Sequence, residues 1–339
     1  MKKIQTMFSI FLLIAMVLTA CAPAATAVPT APAATAVPKS TVKVALVLSG
    51  VITDNGWNAA AYKGIMAAKD KYGIEVAYSE SVALPDFEST FRDYASKGFN
   101  LVIGHGSEFA DVALAIGKEF PKTYFAVTNA DVKAENVIGL DTKNEEAGYM
   151  GGFIAGLVSK SKIVGFVGGQ EIVAMKRAEL GFRKGVPAAC PDCQIIVSWV
   201  GSVKDAAKGK ETALAELDMG VDVLYAVADA AGLGVIQAAK EKNIMMIGNT
   251  GDQASLAPDQ IITSTVRDLA PVVTQVVGEV VEGKIQPNTI LLHGFNTGIY
   301  FLAKLNTNLL TPDQITRINA EVERMKKGEI NLEHISAAK

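Results

Sequence analysis

The strongest constraint on the fold is a rhythm that runs once and then starts again. Lys43-Val44-Ala45-Leu46-Val47-Leu48-Ser49-Gly50 and Lys162-Ile163-Val164-Gly165-Phe166-Val167-Gly168-Gly169 hold the same place in two successive series of apolar runs and amphipathic stretches. In the first series, residues 42–48, 74–79, 101–104 and 124–128 predict strands, with helices expected over 58–72, 86–97 and 109–119. In the second, 163–167, 194–200, 221–227 and 244–247 predict strands, with helices over 172–185, 205–219 and 232–242. Strands that are apolar on both faces and separated by helices belong to parallel sheets covered on both sides. The expected fold class is therefore α/β, with two doubly wound, Rossmann-like lobes and a hinged cleft between them. In open α/β sheets, ligands bind beyond the carboxyl ends of the strands, so the cleft should collect the strand-end loops of both lobes.

Ahead of this rhythm, Lys2 and Lys3 precede an uncharged apolar stretch, Met7 to Leu18, shorter than the roughly 20 residues needed to span a bilayer. A basic start and a short apolar core ending in small residues form the pattern of a cleaved export signal. Leu18-Thr19-Ala20-Cys21 resembles the lipobox of bacterial lipoproteins, in which the cysteine is lipidated; the alternative is a plain secretory peptide that contains a cysteine. Residues 22–29, rich in Pro, Ala and Thr, recur as residues 31–38. This composition cannot bury a core and suits an extended spacer. The expected organisation is a signal over 1–20, a lipidated cysteine and linker over 21–41, lobe 1 over 42–141 and 268–295, and lobe 2 over 142–267 and 296–335. The expected location is the extracytoplasmic face of the cell membrane, with lipid as the only membrane attachment.

Composition excludes several functions. The net charge of −3 and the lack of a basic run after the signal argue against a nucleic-acid partner. Cys190-Pro191-Asp192-Cys193 admits three readings: a structural or incidental pair, a redox pair, or part of a metal site. An exported chain permits a local disulfide, and His105, His293 and His334 are too scattered to complete a zinc set, so no metal or other cofactor is expected.

The strand-end loops carry the candidate ligand contacts. Asp54-Asn55-Gly56-Trp57-Asn58 precedes a helix, where Asp54 and Asn58 could equally cap it, and Trp57 offers a flat face for stacking or lobe packing. Gly104-His105-Gly106 sets a histidine between glycines at a strand end, where access is expected and a ligand hydrogen bond stands even with a structural one, and Asn129 ends the fourth strand. Lobe 2 contributes Gln170, Tyr225, Asp229, Asn249, Thr250 and, from the extended piece 264–267 at the crossover, Arg267. No nucleophile elbow, phosphate-cradling loop or metal-spaced His/Glu group joins them, so the cleft is expected to bind a small molecule without transforming it.

In order along the chain, Asp54-x-x-Trp57-Asn58, Gly148-Tyr149-Met150-Gly151-Gly152, Gly181-Phe182, Gly232-Leu233-Gly234-Val235, Asp252-Gln253 and Ser264-x-x-Arg267 resemble the basic membrane protein (BMP) family of solute-binding lipoproteins, purine nucleoside receptor type. The resemblance runs over essentially all of 42–335. It implies a type I periplasmic-binding-protein fold, monomeric, that delivers purine nucleosides or related solutes to an ABC permease. It also implies that an aromatic from each lobe sandwiches the base, which maps onto Trp57 and Tyr225. Asn58 corresponds to a polar ligand contact and Arg267 to a position usually held by lysine. Thr250 and Asn129 stand where the family carries aspartates that grip the ribose, so a free purine base or another flat heterocycle fits as well as a nucleoside. Two other functions remain open: a ligand sensor that uses the same cleft, and an extracytoplasmic nucleoside-processing enzyme.

Overall fold

The computed structural model describes residues 40–53 and 57–336; the signal, Cys21, the linker and Asp54 lie outside the described residues. The first sheet contains β1 (Lys43–Leu48), β2 (Glu75–Ser79), β3 (Leu101–His105), β4 (Tyr124–Thr128), β5 (Val137–Thr142) and β11 (Thr289–His293). Its order is β11-β5-β4-β3-β1-β2 and every pairing is parallel. Burial on both faces follows from the β1 sequence. Val44, Leu46 and Leu48 enter one core with Ala61 and Ile65 of α1 (Trp57–Tyr72) and Val273 of α8 (Ala270–Val281). Ala45 and Val47 enter the other, with Phe91 of α2 (Phe87–Ser96) and Ala113 of α3 (Ala110–Glu119).

The second sheet repeats the plan with β6 (Ile163–Gly168), β7 (Gln194–Trp199), β8 (Val223–Val227), β9 (Met245–Thr250), β10 (Ile261–Arg267) and β12 (Tyr300–Leu302). Its order is β12-β10-β9-β8-β6-β7, parallel except for the antiparallel β10–β12 pair. One face is covered by α4 (Asn144–Val158), α5 (Val173–Ala189) and α9 (Pro312–Lys326), the other by α6 (Ala206–Asp218) and α7 (Gly232–Lys242). Helices α4 and α5 touch backbone to backbone. A Cβ on Gly148 would lie 1.9 Å from the Ala178 carbonyl oxygen, and one on Gly181 would lie 2.0 Å from that of Glu145. Gly148 and Gly152 of this motif thus serve a helix contact, while Gly151 packs on the Tyr225 ring of β8. Cys190 and Cys193 form a disulfide just after α5, the local crosslink that an exported chain permits. No described helix is long and apolar enough to cross a membrane.

The chain crosses between the sheets from β5 into α4, from β10 into α8, and from β11 to β12. Beside these crossings sits a buried charge cluster. Arg177 of α5 donates from Nη1 to Asp141 of β5 at 2.8 Å, with both side chains almost fully buried. His334 reaches Asp141 at 3.1 Å and Glu145 at 2.7 Å, and Arg177 Nε donates to the Ile335 carbonyl at 2.6 Å. The segment after α9 therefore ties a strand of the first sheet to helices of the second. Hydrogen bonds to Asp141 and then Glu145 push the His334 pKa up to about 9, against the effect of burial. Burial alone would raise that of Asp141, but His334, Arg177 and the Thr142 amide together hold it below the usual range.

Four strands depart from the sequence expectation. β5, β11 and β12 are not apolar runs of the expected kind, and the extended piece at 264–267 is the end of a seven-residue strand. β5 carries Asp141 and β11 ends in His293, polar groups that the crossings bury.

Candidate functional site at the carboxyl ends of the strands

Ligand sites in such sheets fall where the strand order reverses. In the first sheet this is between β1 and β3, where Leu48 pairs with His105; in the second it is between β6 and β8, where Gly168 pairs with Val227. Trp57 opens α1, the helix that follows β1, and is half-buried. Its ring stacks on that of His105, with centroids 4.1 Å apart and planes 24° apart. The guanidinium carbon of Arg267, at the end of β10, lies 4.9 Å from the Trp57 ring centroid. This contact brings the carboxyl ends of the two sheets together at one aromatic ring.

His105 is not the accessible ligand contact expected from its flanking glycines; its side chain is fully buried. Nε2 lies 2.9 Å from the Trp57 carbonyl oxygen, which can only accept, so Nε2 donates. In the neutral ring Nδ1 then accepts from the Thr128 hydroxyl at 2.8 Å. The glycines answer to crowding. A Cβ on Gly104 would lie 2.5 Å from Phe109 Cβ, and Gly106 has φ of +135° with Glu108 beside it. His105 is a rigid backing for Trp57.

Arg267 is steadied from the crossings. Its Nη1 lies 3.3 Å from Asn144 Oδ1, which also accepts from the Tyr300 hydroxyl at 2.8 Å. Asn144 Nδ2 donates to the Thr142 carbonyl at 3.0 Å, and the Thr142 hydroxyl donates to Asn129 Oδ1 at 3.2 Å. Asn129 thus joins the set as a half-buried residue with φ of +56°, at the far end of a polar chain leading to Arg267.

Tyr225 corrects the expectation of a second stacking aromatic. Its side chain is fully buried, its ring stacked on Phe182 and packed against Gly151. The reason is strand alternation: Val223, Tyr225 and Val227 all point into the core beneath α4 and α5. Asn249 Nδ2 donates to Tyr225 Oη and Thr265 Oγ1, each at 2.9 Å, and Asn249 Oδ1 accepts from Thr250. Tyr225, Asn249 and Thr250 therefore form a network internal to the second sheet, with Thr250 at φ of +71°.

Asp229 follows β8 with φ of +48° and is solvent-accessible, yet protein walls surround its carboxyl and push its pKa up, with Arg267 opposing the shift. Asn58 is buried against Gly50 in the loop after β1, where a Cβ would meet its Nδ2 at 2.4 Å. Gln170 is exposed just beyond β6. Of the candidates, Trp57, His105, Asn129 and Arg267 are brought together, with Asp229 near enough to feel the Arg267 charge. Thr128, Thr142, Asn144 and Tyr300, which hold these side chains, are not singled out by the sequence. Asn144 carries a usable signal, a polar residue opening a helix at a crossover. The described residues hold no cluster of three or more His, Cys, Asp or Glu side chains suited to a metal.

Comparison with known proteins places this geometry in context. An ABC transporter solute-binding protein from Conexibacter woesei DSM 14684 superposes with a TM-score of 0.71 and 27% identity, over 87% of this chain and 99% of that one. A Lactococcus lactis protein named as an ABC transporter nucleoside-binding protein is 26% identical over 83% of this chain and 87% of its own length. A Bacillus subtilis protein named as a transcriptional activator is 30% identical over 67% of this chain and 71% of its own length. Over residues 41–335 the sequence matches the Bmp profile, described as ABC transporter substrate-binding protein PnrA-like. With two parallel α/β lobes and a match spanning nearly all of both, the chain belongs to the Bmp family of PnrA-like ABC transporter substrate-binding proteins.

Proposed function

We propose that this chain is an extracytoplasmic lipoprotein that captures a purine nucleoside, a nucleobase or a related flat heterocycle in its inter-lobe cleft and delivers it to an ABC importer. The observation that carries the reading is Trp57, a flat ring fixed from behind by His105 at the switch point of one sheet and met by a cation from the other. Aromatic faces bind planar heterocycles by stacking, with few demands on their substituents. The nucleoside-binding name of the Lactococcus relative supports the ligand class.

A panel of nucleosides and nucleobases tests this by thermal shift, since a ligand at a hundred times its Kd adds about 2.7 kcal/mol to the folded state. No shift from any member at millimolar concentration contradicts the reading. Trp57→Ala removes the stacking face and should weaken binding by about 1–3 kcal/mol, roughly 5- to 150-fold. Unchanged affinity would put the site elsewhere.

Anchoring rests on Cys21 and the lipobox-like residues before it. Cys21→Ser should move the protein from the membrane fraction to the soluble fraction while leaving ligand affinity unchanged, because the spacer lies between anchor and cleft. Retention in the membrane fraction contradicts lipid attachment at this residue. A sensor role using the same cleft is a second reading, prompted by the transcriptional-activator name that the Bacillus relative carries. Loss of uptake in a deletion strain separates delivery from sensing.

A further inference from the structure

The second sheet does not offer Tyr225 to the far side of a ring stacked on Trp57, because that side chain is sealed in the core. It supplies Arg267 instead. We infer that the ligand's flat ring is held between the Trp57 indole and the Arg267 guanidinium, and that Arg267 makes the cleft discriminate against cationic heterocycles. This inference deepens the proposed function and rests on it.

A guanidinium is planar and delocalised, so it stacks on an aromatic face as an aromatic ring does while bringing positive charge. Three features suit it to this role. Its carbon is already 4.9 Å from the Trp57 centroid, within cation–π range. Its charge is felt at Asp229, Tyr225 and Tyr300, which places it among the strand ends of the second sheet. Its hold on Asn144 is a single bond of 3.3 Å at the crossing into α4, long enough to yield.

The spacing also says what must move. Two stacked layers need about 7 Å, twice the usual carbon–carbon contact distance. At 4.9 Å the gap admits nothing, so Arg267 occupies the stacking surface itself and must withdraw by about 2 Å when a ring enters. His105 stacks on the same indole with both ring nitrogens engaged, which limits how far Trp57 can move. The accommodation falls on Arg267 and on the crossing that carries it.

Charge discrimination is the readout. N6-methyladenosine and 1-methyladenosine are isomers, the first neutral and the second cationic at neutral pH. The full-length protein should bind the neutral isomer about tenfold more tightly or better, and in Arg267→Met the ratio should fall to about threefold or less. Arg267→Lys keeps the charge but loses the plane, so both affinities should weaken while the preference persists. Melting curves establish that each variant is folded. An independent reading needs no ligand. With Trp199→Phe leaving Trp57 as the only tryptophan, Arg267→Met should change the Trp57 emission of the free protein, because the cation leaves the ring. An unchanged spectrum, or an unchanged isomer ratio in Arg267→Met with binding retained, overturns the inference and spares the proposed function. Absence of binding by every nucleoside and nucleobase overturns both.

Discussion

Arg177→Met should lower the stability of the folded chain by about 3–5 kcal/mol, the usual effect of removing one partner from a buried ion pair. Methionine fills much of the volume but leaves Asp141 buried with only His334 and the Thr142 amide to offset its charge. In a protein this size the loss should appear as a fall in Tm of roughly 10 °C. Asp141→Asn in the same chain should recover part of it, because the uncompensated carboxylate disappears. A fall below about 1 kcal/mol for Arg177→Met would show that the cluster relaxes into solvent. The pH dependence of the cluster runs in both directions. Asp141 has its folded pKa below its unfolded value, so its contribution is present above the ordinary carboxylate range and lost as pH falls. His334, raised from 6.5 to about 9, stabilises fully below 6.5, and its contribution is lost as pH rises toward 9. The segment carrying His334 should therefore hold the two sheets together best in the acidic-to-neutral range.

Glu216 sets the other large effect. It lies on α6 under the second sheet, fully buried, with its carboxyl against Gly165 of β6. Burial pushes its pKa up to about 8 from an ordinary 4.5, and the Ser198 hydroxyl opposes the shift without reaching hydrogen-bond geometry. In the window between those values the folded chain keeps the proton while the unfolded chain has lost it. Stability contributed by the neutral carboxyl is thus whole below about 4.5 and drains away as pH climbs to about 8. At about 1.4 kcal/mol per unit, the loss across that range is on the order of 3–5 kcal/mol. Glu216→Gln is isosteric and does not titrate, so urea unfolding should show it gaining on the parent protein as pH rises from 5 to 8. Parallel pH profiles for the two proteins would mean that water reaches the carboxyl.

Much of the architecture is legible in the sequence because the central strands are buried on both faces. Residues such as Val44 to Leu48 or Val223 to Val227 then read as continuous apolar runs. The crossing strands are opaque for the opposite reason. β5 and β11 bury Asp141 and His293, and a group such as Asp141 looks like a loop residue until its partners from distant segments are known. His293 itself lies against the Asp141 cluster with its pKa lowered by burial, opposed by the Asp141 charge.

The site divides along the same line. Trp57 and Arg267 can each be picked out as strand-end residues, but they are 210 positions apart and only the crossing geometry makes them neighbours. His105 and Tyr225 mislead for particular reasons. The glycines beside His105 relieve crowding by Phe109 and Glu108 and do not open a path to solvent. Tyr225 has the right position along β8 but the wrong parity, and in a strand one step of parity separates one face of the sheet from the other.

The central claim is that a flat purine-type ring binds on Trp57 between the lobes. Calorimetric titration of the full chain and of Trp57→Ala with a panel of purine nucleosides and nucleobases tests it most directly. Saturable one-to-one binding of at least one panel member to the parent protein is expected, weakened roughly 5- to 150-fold in Trp57→Ala. Binding of equal strength to both proteins, or no binding by the parent protein to any member, would contradict it.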